Sequence, residues 1–275
     1  MKKKFEFDGG VYEGDAGLFS KVPNGHGTIT YKDGWKLECD FVDGTRDGKA
    51  TFSHSSGAYF KYTLNNGKTV KGDVCKRDKD GNMYYGEILE DDWTISGKGK
   101  IVFASGKNRY EGDLSHDLPQ GKGTWFYLEK GNRYEGDFHQ GKMMGYGSFY
   151  MPYADNPNKF AVFTGEFFEN HPLKGTYDYG NGKKFTGLAD VGGYRITDVN
   201  AEVVFQDGFT YKGGVVKNTL DGKGQLFNKE GKLVYDGEWF NSCYHGLGKV
   251  YDADGNVIQE GLFEKGKFIG SHRVD

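Results

Sequence analysis

The stretch Tyr110-Glu111-Gly112-Asp113-Leu114, followed by Gly121-Lys122-Gly123-Thr124-Trp125, recurs along the chain at nearly even intervals. It returns as Tyr134-Glu135-Gly136-Asp137-Phe138 with Gly145-Tyr146-Gly147-Ser148-Phe149, and as Tyr235-Asp236-Gly237-Glu238-Trp239 with Gly246-Leu247-Gly248-Lys249-Val250. Repetition at such a period constrains the fold more than any other feature. An array grows by stacking one supersecondary unit on the next and needs no central core. Aligned on the first aromatic, units begin at 12, 37, 60, 84, 110, 134, 163, 185, 211, 235 and 259, a mean step of 24.7 residues. This predicts a cap strand in 1–11, ten units over 12–258 and a partial unit in 259–275.

Each half of the unit alternates with a period of two and reads as a short strand with one chosen face. The halves lie close enough to form an antiparallel hairpin, with Gly or Asn-Gly at its turns. In the fifth unit Tyr110, Gly112 and Leu114 share a face with Gly121, Gly123, Trp125 and Tyr127. Glycine is a poor strand residue, so its regular use there predicts room for aromatic rings from the neighbouring hairpin. One hairpin cannot bury such a face, whereas a stack can. The predicted fold is all-β: an elongated, single-sheet, solenoid-like stack of about ten antiparallel hairpins, on the order of 100 Å long at ~4.8 Å per strand.

The 45 glycines and 16% aromatics, with only 5 prolines, fit many turns and strands and not disorder. Cys39 and Tyr62 occupy the first-strand glycine position, so units two and three should be locally distorted or bent. The segment 151–159, with Pro152 and Pro157, reads as an excursion from the sheet and not as strand. No linker or composition shift marks a second domain.

The pattern resembles the MORN repeat family (membrane occupation and recognition nexus) over about residues 12–266, most closely in units five, six, nine and ten. The resemblance implies a stack of hairpins used for binding, with no chemistry of its own. It also implies an intracellular place in a cytoskeletal, ciliary or cell-cortex assembly.

The residues themselves supply no catalytic constellation. None of the 7 histidines stands at metal-ligand spacing from another His or Cys. Glu90-Asp91-Asp92 reads as a solvated turn, since an acid/base pair needs burial to separate its pKa values. Gly-x-Gly recurs without the strand-to-helix setting of a phosphate cradle. Cys39, Cys75 and Cys243 are odd in number and widely spaced, which fits a reducing, cytoplasmic setting. No apolar run reaches the length of a membrane span. The net charge is −3, with 21 basic and 22 acidic residues up to Asp137 and 15 and 17 after it, so the footprint of a nucleic-acid binder is missing. The expectation is no enzyme, no cofactor and no metal.

The face opposite the Tyr/Gly face carries acids on first strands, such as Glu13, Asp40, Glu111, Asp113, Glu135 and Glu260. It carries bases on second strands, such as Lys49, Lys71, Lys98, Lys100, Lys122 and Lys249, against Asp73 and Glu202. This predicts a ladder of cross-strand charge pairs. Interleaved acids would cancel most attraction to anionic lipid, which ranks membrane binding below protein binding. From unit four onward an outward position turns mostly apolar or aromatic, as at Phe126, Tyr150, Phe227 and Tyr251.

The candidate partner-binding residues are Trp125, Tyr127, Phe126, Phe138, Tyr150, Phe227, Trp239 and Tyr251, aromatic anchors along a groove for an extended or helical protein segment. One alternative is a phosphoinositide or anionic-membrane module using Lys2, Lys3, Lys4 or the Lys183-Lys184 pair. Another is an architectural repeat protein of the bacterial kind.

Overall fold

The computed structural model describes residues 1–70, 74–87 and 94–271. Lys71, Gly72, Asp73, the run Glu90-Asp91-Asp92 and His272 lie outside them. The described residues form 24 strands and no helix, which is the predicted all-β class. The chain divides into two compact units, one of Met1–Lys130 with Phe138–Gly141, the other of Gly131–Asp137 with Lys142–Asp275. In the first, antiparallel pairing runs in chain order from Lys2–Phe7 to Leu118–Tyr127. In the second, it runs in the same way from Lys142–Tyr153 to Lys267–Gly270.

The hairpin of the fifth repeat, Asn108–Ser115 with Leu118–Tyr127, shows how the sequence builds this sheet. Its strands are joined by His116 (φ 50°) and Asp117 (φ 66°). Two successive positive φ values are the signature of the two-residue turn whose twist matches that of paired strands. The turns at Glu169/Asn170, Lys217/Asn218 and Asn241/Ser242 are built likewise, so the expected Gly or Asn-Gly is only one of several solutions. The reason lies in the second turn residue. Asn218 donates its N–H to the Ile196 carbonyl (2.9 Å), while its Oδ1 accepts the Ile196 N–H (2.6 Å). Asp117 with Ile95, Asn170 with Met143 and Ser242 with Leu220 repeat this reciprocal pair. A side chain there ties each turn to the preceding hairpin, which glycine cannot do.

After the turn, Leu114 faces Pro119 and Gly112 faces Gly123, so residues 120–122 bulge opposite Asp113. Gly121 stands at the bulge with φ 75°, where an L side chain would be strained. Asp113 Oδ2 accepts the Lys122 N–H across it (3.1 Å), as Asp137 accepts that of Tyr146 (3.1 Å).

One expectation is corrected here. The segment 151–159 does not leave the sheet: Lys142–Tyr153 and Asn156–Phe168 are one long hairpin turning at Ala154-Asp155. Pro152 is opposite Phe160, and the register shifts between Pro152 and Tyr153. Proline lacks a donor but still fits beside such an irregularity. Cys39 and Tyr62 stay in register with the strand before them, but the second hairpin shifts register between Glu38 and Asp40, the local distortion expected at Cys39. They pair opposite Gly27 and Ala50, at 0% and 5% exposure. In the third repeat Lys68–Thr69 and Val74–Arg77 each pair with the strand Tyr59–Asn65.

Candidate functional site

The Tyr/Gly face is the core of both units. Tyr12, Tyr110, Tyr134, Tyr211 and Tyr235 are all 0% exposed. Each lies along its own strand and donates its phenol to a backbone carbonyl three residues on: Asp15 (2.6 Å), Asp113 (2.7 Å), Asp137 (3.1 Å), Gly214 (2.8 Å) and Glu238 (2.9 Å). Burial pushes these phenols up, Tyr235 to about 12, so they remain donors through the physiological range.

The ring crosses the second strand of the same hairpin, and this is why the Gly-x-Gly phrase ends in glycine. A Cβ on Gly123 would sit 2.3 Å from the Tyr110 hydroxyl, and one on Gly224 would sit 2.2 Å from that of Tyr211. The predicted room for rings is real, but the ring comes from the hairpin's own first strand and not from its neighbour.

What the next hairpin contributes is an edge. Five of the aromatic residues that close these phrases meet the preceding tyrosine at nearly right angles: Phe41 on Tyr12 (5.3 Å), Phe138 on Tyr110 (5.0 Å), Phe167 on Tyr134 (4.8 Å), Trp239 on Tyr211 (5.1 Å) and Phe263 on Tyr235 (5.5 Å). Edge-to-face pairs of this kind add about 0.5–1.5 kcal/mol to the burial of the rings.

This arrangement decides where the eight predicted anchors stand. Phe138 and Trp239 are 3% and 6% exposed and belong to the core. Trp239 is ringed by Tyr211, Tyr235 and Tyr244, and its Nε1 donates to the Gly224 carbonyl (3.1 Å). Trp125 and Tyr127 are half-buried on the same face. Trp125 packs on Phe103 (4.9 Å) and Tyr110 (6.4 Å), and its buried Nε1 has no hydrogen-bond partner.

Phe126, Tyr150 and Phe227 face the other way, half-buried under cations. The Arg109 guanidinium lies 4.3 Å from the Phe126 centroid, that of Arg133 lies 4.0 Å from Tyr150, and the Lys212 ammonium lies 6.0 Å from Phe227. Arg109 and Arg133 also meet Glu111 (3.2 Å) and Glu135 (2.6 Å), so the outward seam is covered by the protein's own charges. Tyr251 is half-buried and lines a groove.

The predicted charge ladder is present and joins one hairpin's second strand to the next hairpin's first. Lys98 pairs with Asp113 (2.6 Å), Lys100 with Glu111 (3.8 Å) and Lys249 with Glu260 (2.8 Å). Lys98 and its hydrogen bond hold the Asp113 carboxyl below its ordinary range. Such exposed pairs contribute little each, roughly 0.2–1 kcal/mol.

Open grooves lie over this polar face. In the first unit one of about 810 Å³ is lined by Lys2, Lys4, Glu13, Asp15, His26 and Lys36 among others. In the second unit one of about 540 Å³ is lined by Asp236, Leu247, Gly248, Lys249, Tyr251, Glu260 and Gly261. There Leu247 and Leu262 face each other at 47% and 45% exposure, where other hairpins place a charge pair. Sequence reasoning passed over Leu247, although it breaks a run of mostly charged residues at the middle of Gly-x-Gly.

Among the described residues no three His, Cys, Asp or Glu side chains are placed to hold a metal ion. The cysteines are free, and burial raises the Cys39 thiol to about 11, which leaves it inert. No helix of the described residues is long and apolar enough to cross a membrane.

Hairpins that share one buried face, each closing over the last, define the class: a β-repeat protein. The MORN repeat family model matches residues 20–36, 110–127, 134–152 and 235–257, four stretches of the chain that are similar to MORN repeats. These are generally non-enzymatic modules that interact with proteins or membranes. A comparison with curated proteins gives no match.

Proposed function

We propose that the chain is a non-enzymatic scaffold that holds an extended segment of a partner protein along the polar face of its sheet. The observation that carries this reading is the division of labour between the faces. The Tyr/Gly face is consumed by internal packing, while the polar face stays open over the Asp236, Lys249, Tyr251 and Glu260 groove with two exposed leucines beside it. Apolar anchors rimmed by charges of both signs suit a peptide that offers an apolar side chain between polar ones. The setting we propose, drawn from the family resemblance alone, is a cytoskeletal, ciliary or cell-cortex assembly.

The test replaces Leu247 and Tyr251 together with serine and compares capture from native extract with wild type. A photo-crosslinking residue at 251 identifies what sits there. A discrete protein crosslinked at 251 and lost with the double variant supports the reading. Capture that survives the double variant, or crosslinks that never form at 251, would refute it. A Trp239→Ala variant cannot serve here, because that ring is part of the core and its loss would lower stability as well as any binding.

A further inference from the structure

The hairpin of the first repeat differs from those with two-residue turns. Gly10–Ala16 and Pro23–Tyr31 are joined by the loop 17–22, which presents Leu18 at 67%, Phe19 at 97% and Val22 at 40% exposure. Scattered apolar residues on a surface need no explanation, but this cluster at one loop tip comes with a second device. The Lys3 ammonium, reaching from the strand Lys2–Phe7, donates to the carbonyls of Gly17 (2.6 Å), Leu18 (2.9 Å) and Ser20 (3.1 Å). An ammonium has three N–H donors, and all three are committed to this loop.

In water that arrangement gains little, since exposed carbonyls are hydrated without help. At a lipid interface it changes the outcome, because backbone polar groups carried out of water must keep partners. Lys3 supplies them in advance for the residues that flank and carry the apolar tip. Lys2 lies exposed on the same strand and Lys21 on the loop itself, and cations so placed are attracted to anionic headgroups. Of the neighbouring acids, Glu13 is engaged by Lys4 (3.3 Å) and Asp15 by the N-terminal ammonium (3.5 Å).

The longer loop 189–195 of the second unit shows the contrast. It turns its aromatic inward, stacking Tyr194 on Phe149 (4.1 Å, 17°). The loop 17–22 instead leaves Phe19 with nothing of its own protein to cover it.

We propose that the loop 17–22 is an anchor that inserts Leu18 and Phe19 into the interface of an anionic membrane, with Lys3 acting as an internal latch that satisfies the loop's carbonyls. The lysine cluster is then not the contact as a whole: Lys3 and Lys4 are engaged within the protein, and the apolar tip supplies the affinity.

The experiment is co-sedimentation of the full chain with phosphatidylcholine vesicles containing about 30% phosphatidylserine, against phosphatidylcholine alone. Wild type is expected on the anionic vesicles. The Leu18→Ser/Phe19→Ser variant, which alters only exposed side chains, should bind about tenfold or more weakly. Lys3→Met should weaken binding more than Lys2→Met, although each removes one charge. Circular dichroism confirms that each variant keeps its strands. Wild type that stays in solution, serines that bind as well as the native tip, or equal losses from Lys2→Met and Lys3→Met would each overturn the proposal.

Discussion

The fifth and second hairpins of the first unit reach the same buried sheet by different chemistry. In the fifth, Tyr110 lies over Gly123 and anchors its hydroxyl on the Asp113 carbonyl. In the second, Leu37 stands in the tyrosine's place at 1% exposure, and Ala50 stands in the glycine's at 3%. Leu37 pairs opposite Phe52 as Tyr110 pairs opposite Trp125, so the register is conserved between them. A leucine reaches less far than a tyrosine, which leaves space for one methyl group. Burial of the face is what the sheet requires, and the tyrosine adds a tether that makes glycine obligatory opposite it. One contact recurs at both places, a ring laid edge-on against a tyrosine of the preceding hairpin: Phe41 of the second on Tyr12 of the first, and Phe138 of the sixth on Tyr110 of the fifth.

The shared feature should therefore be the most sensitive. In the second unit Trp239 plays that part against Tyr211 and adds a hydrogen bond to Gly224. Trp239→Ala is expected to cost about 4 kcal/mol, read from urea unfolding followed by circular dichroism. A loss under about 1 kcal/mol would mean that the edge contact does not couple successive hairpins.

The feature that differs gives a smaller but more pointed result. Gly123→Ala should cost about 2–3 kcal/mol, because the new methyl group meets a ring that is held at both ends. Combining it with Tyr110→Leu recreates the pairing of the second hairpin. The double variant should then cost less than the two single losses added together, by at least about 1 kcal/mol. Strict additivity would show that ring and glycine are independent, contrary to the geometry.

The same contrast explains what could be read from the sequence. Period, strand pair and chosen face were legible because they depend on residues within one hairpin. The bulge at Gly121 and the reciprocal bonds of Asn170 and Asn218 were not, since they depend on φ and on a partner in the preceding hairpin. The turn at Ala154-Asp155 carries no Gly or Asn signal, so two prolines beside it read as a loop where the strands continue. For the candidate site, composition could pick out aromatics but not their fate. Phe138 and Trp239 look like anchors until the preceding tyrosine is seen to enclose them. Leu247 and Phe19 carried the opposite signal, being apolar where the pattern asks for charge or for a turn.

The smallest expected effect lies on the polar face, where the first repeat places His26 and the fourth places Lys98 at the middle of Gly-x-Gly. Lys98 bonds Asp113 (2.6 Å). His26 sits between Asp40 (Nδ1, 3.0 Å) and Glu38 (Nε2, 3.2 Å), and hydrogen bonds to Asp40 and then Glu38 raise its pKa above the ordinary value. A folded-state pKa above the unfolded one contributes stability that is complete below the unfolded pKa. That contribution is lost as pH rises through the folded value. With 59% of the side chain exposed, solvent screening limits the gain to about 0.5 kcal/mol or less. His26→Lys should remove the pH dependence by keeping the charge at both ends of the range. Unfolding of wild type and variant at about pH 5.5 and 8, with an NMR titration of the His26 ring, checks this. The wild type alone should lose stability on going from the lower pH to the higher. An equal change in both proteins would assign the pH response to other groups and leave the ladder insensitive to its one histidine rung.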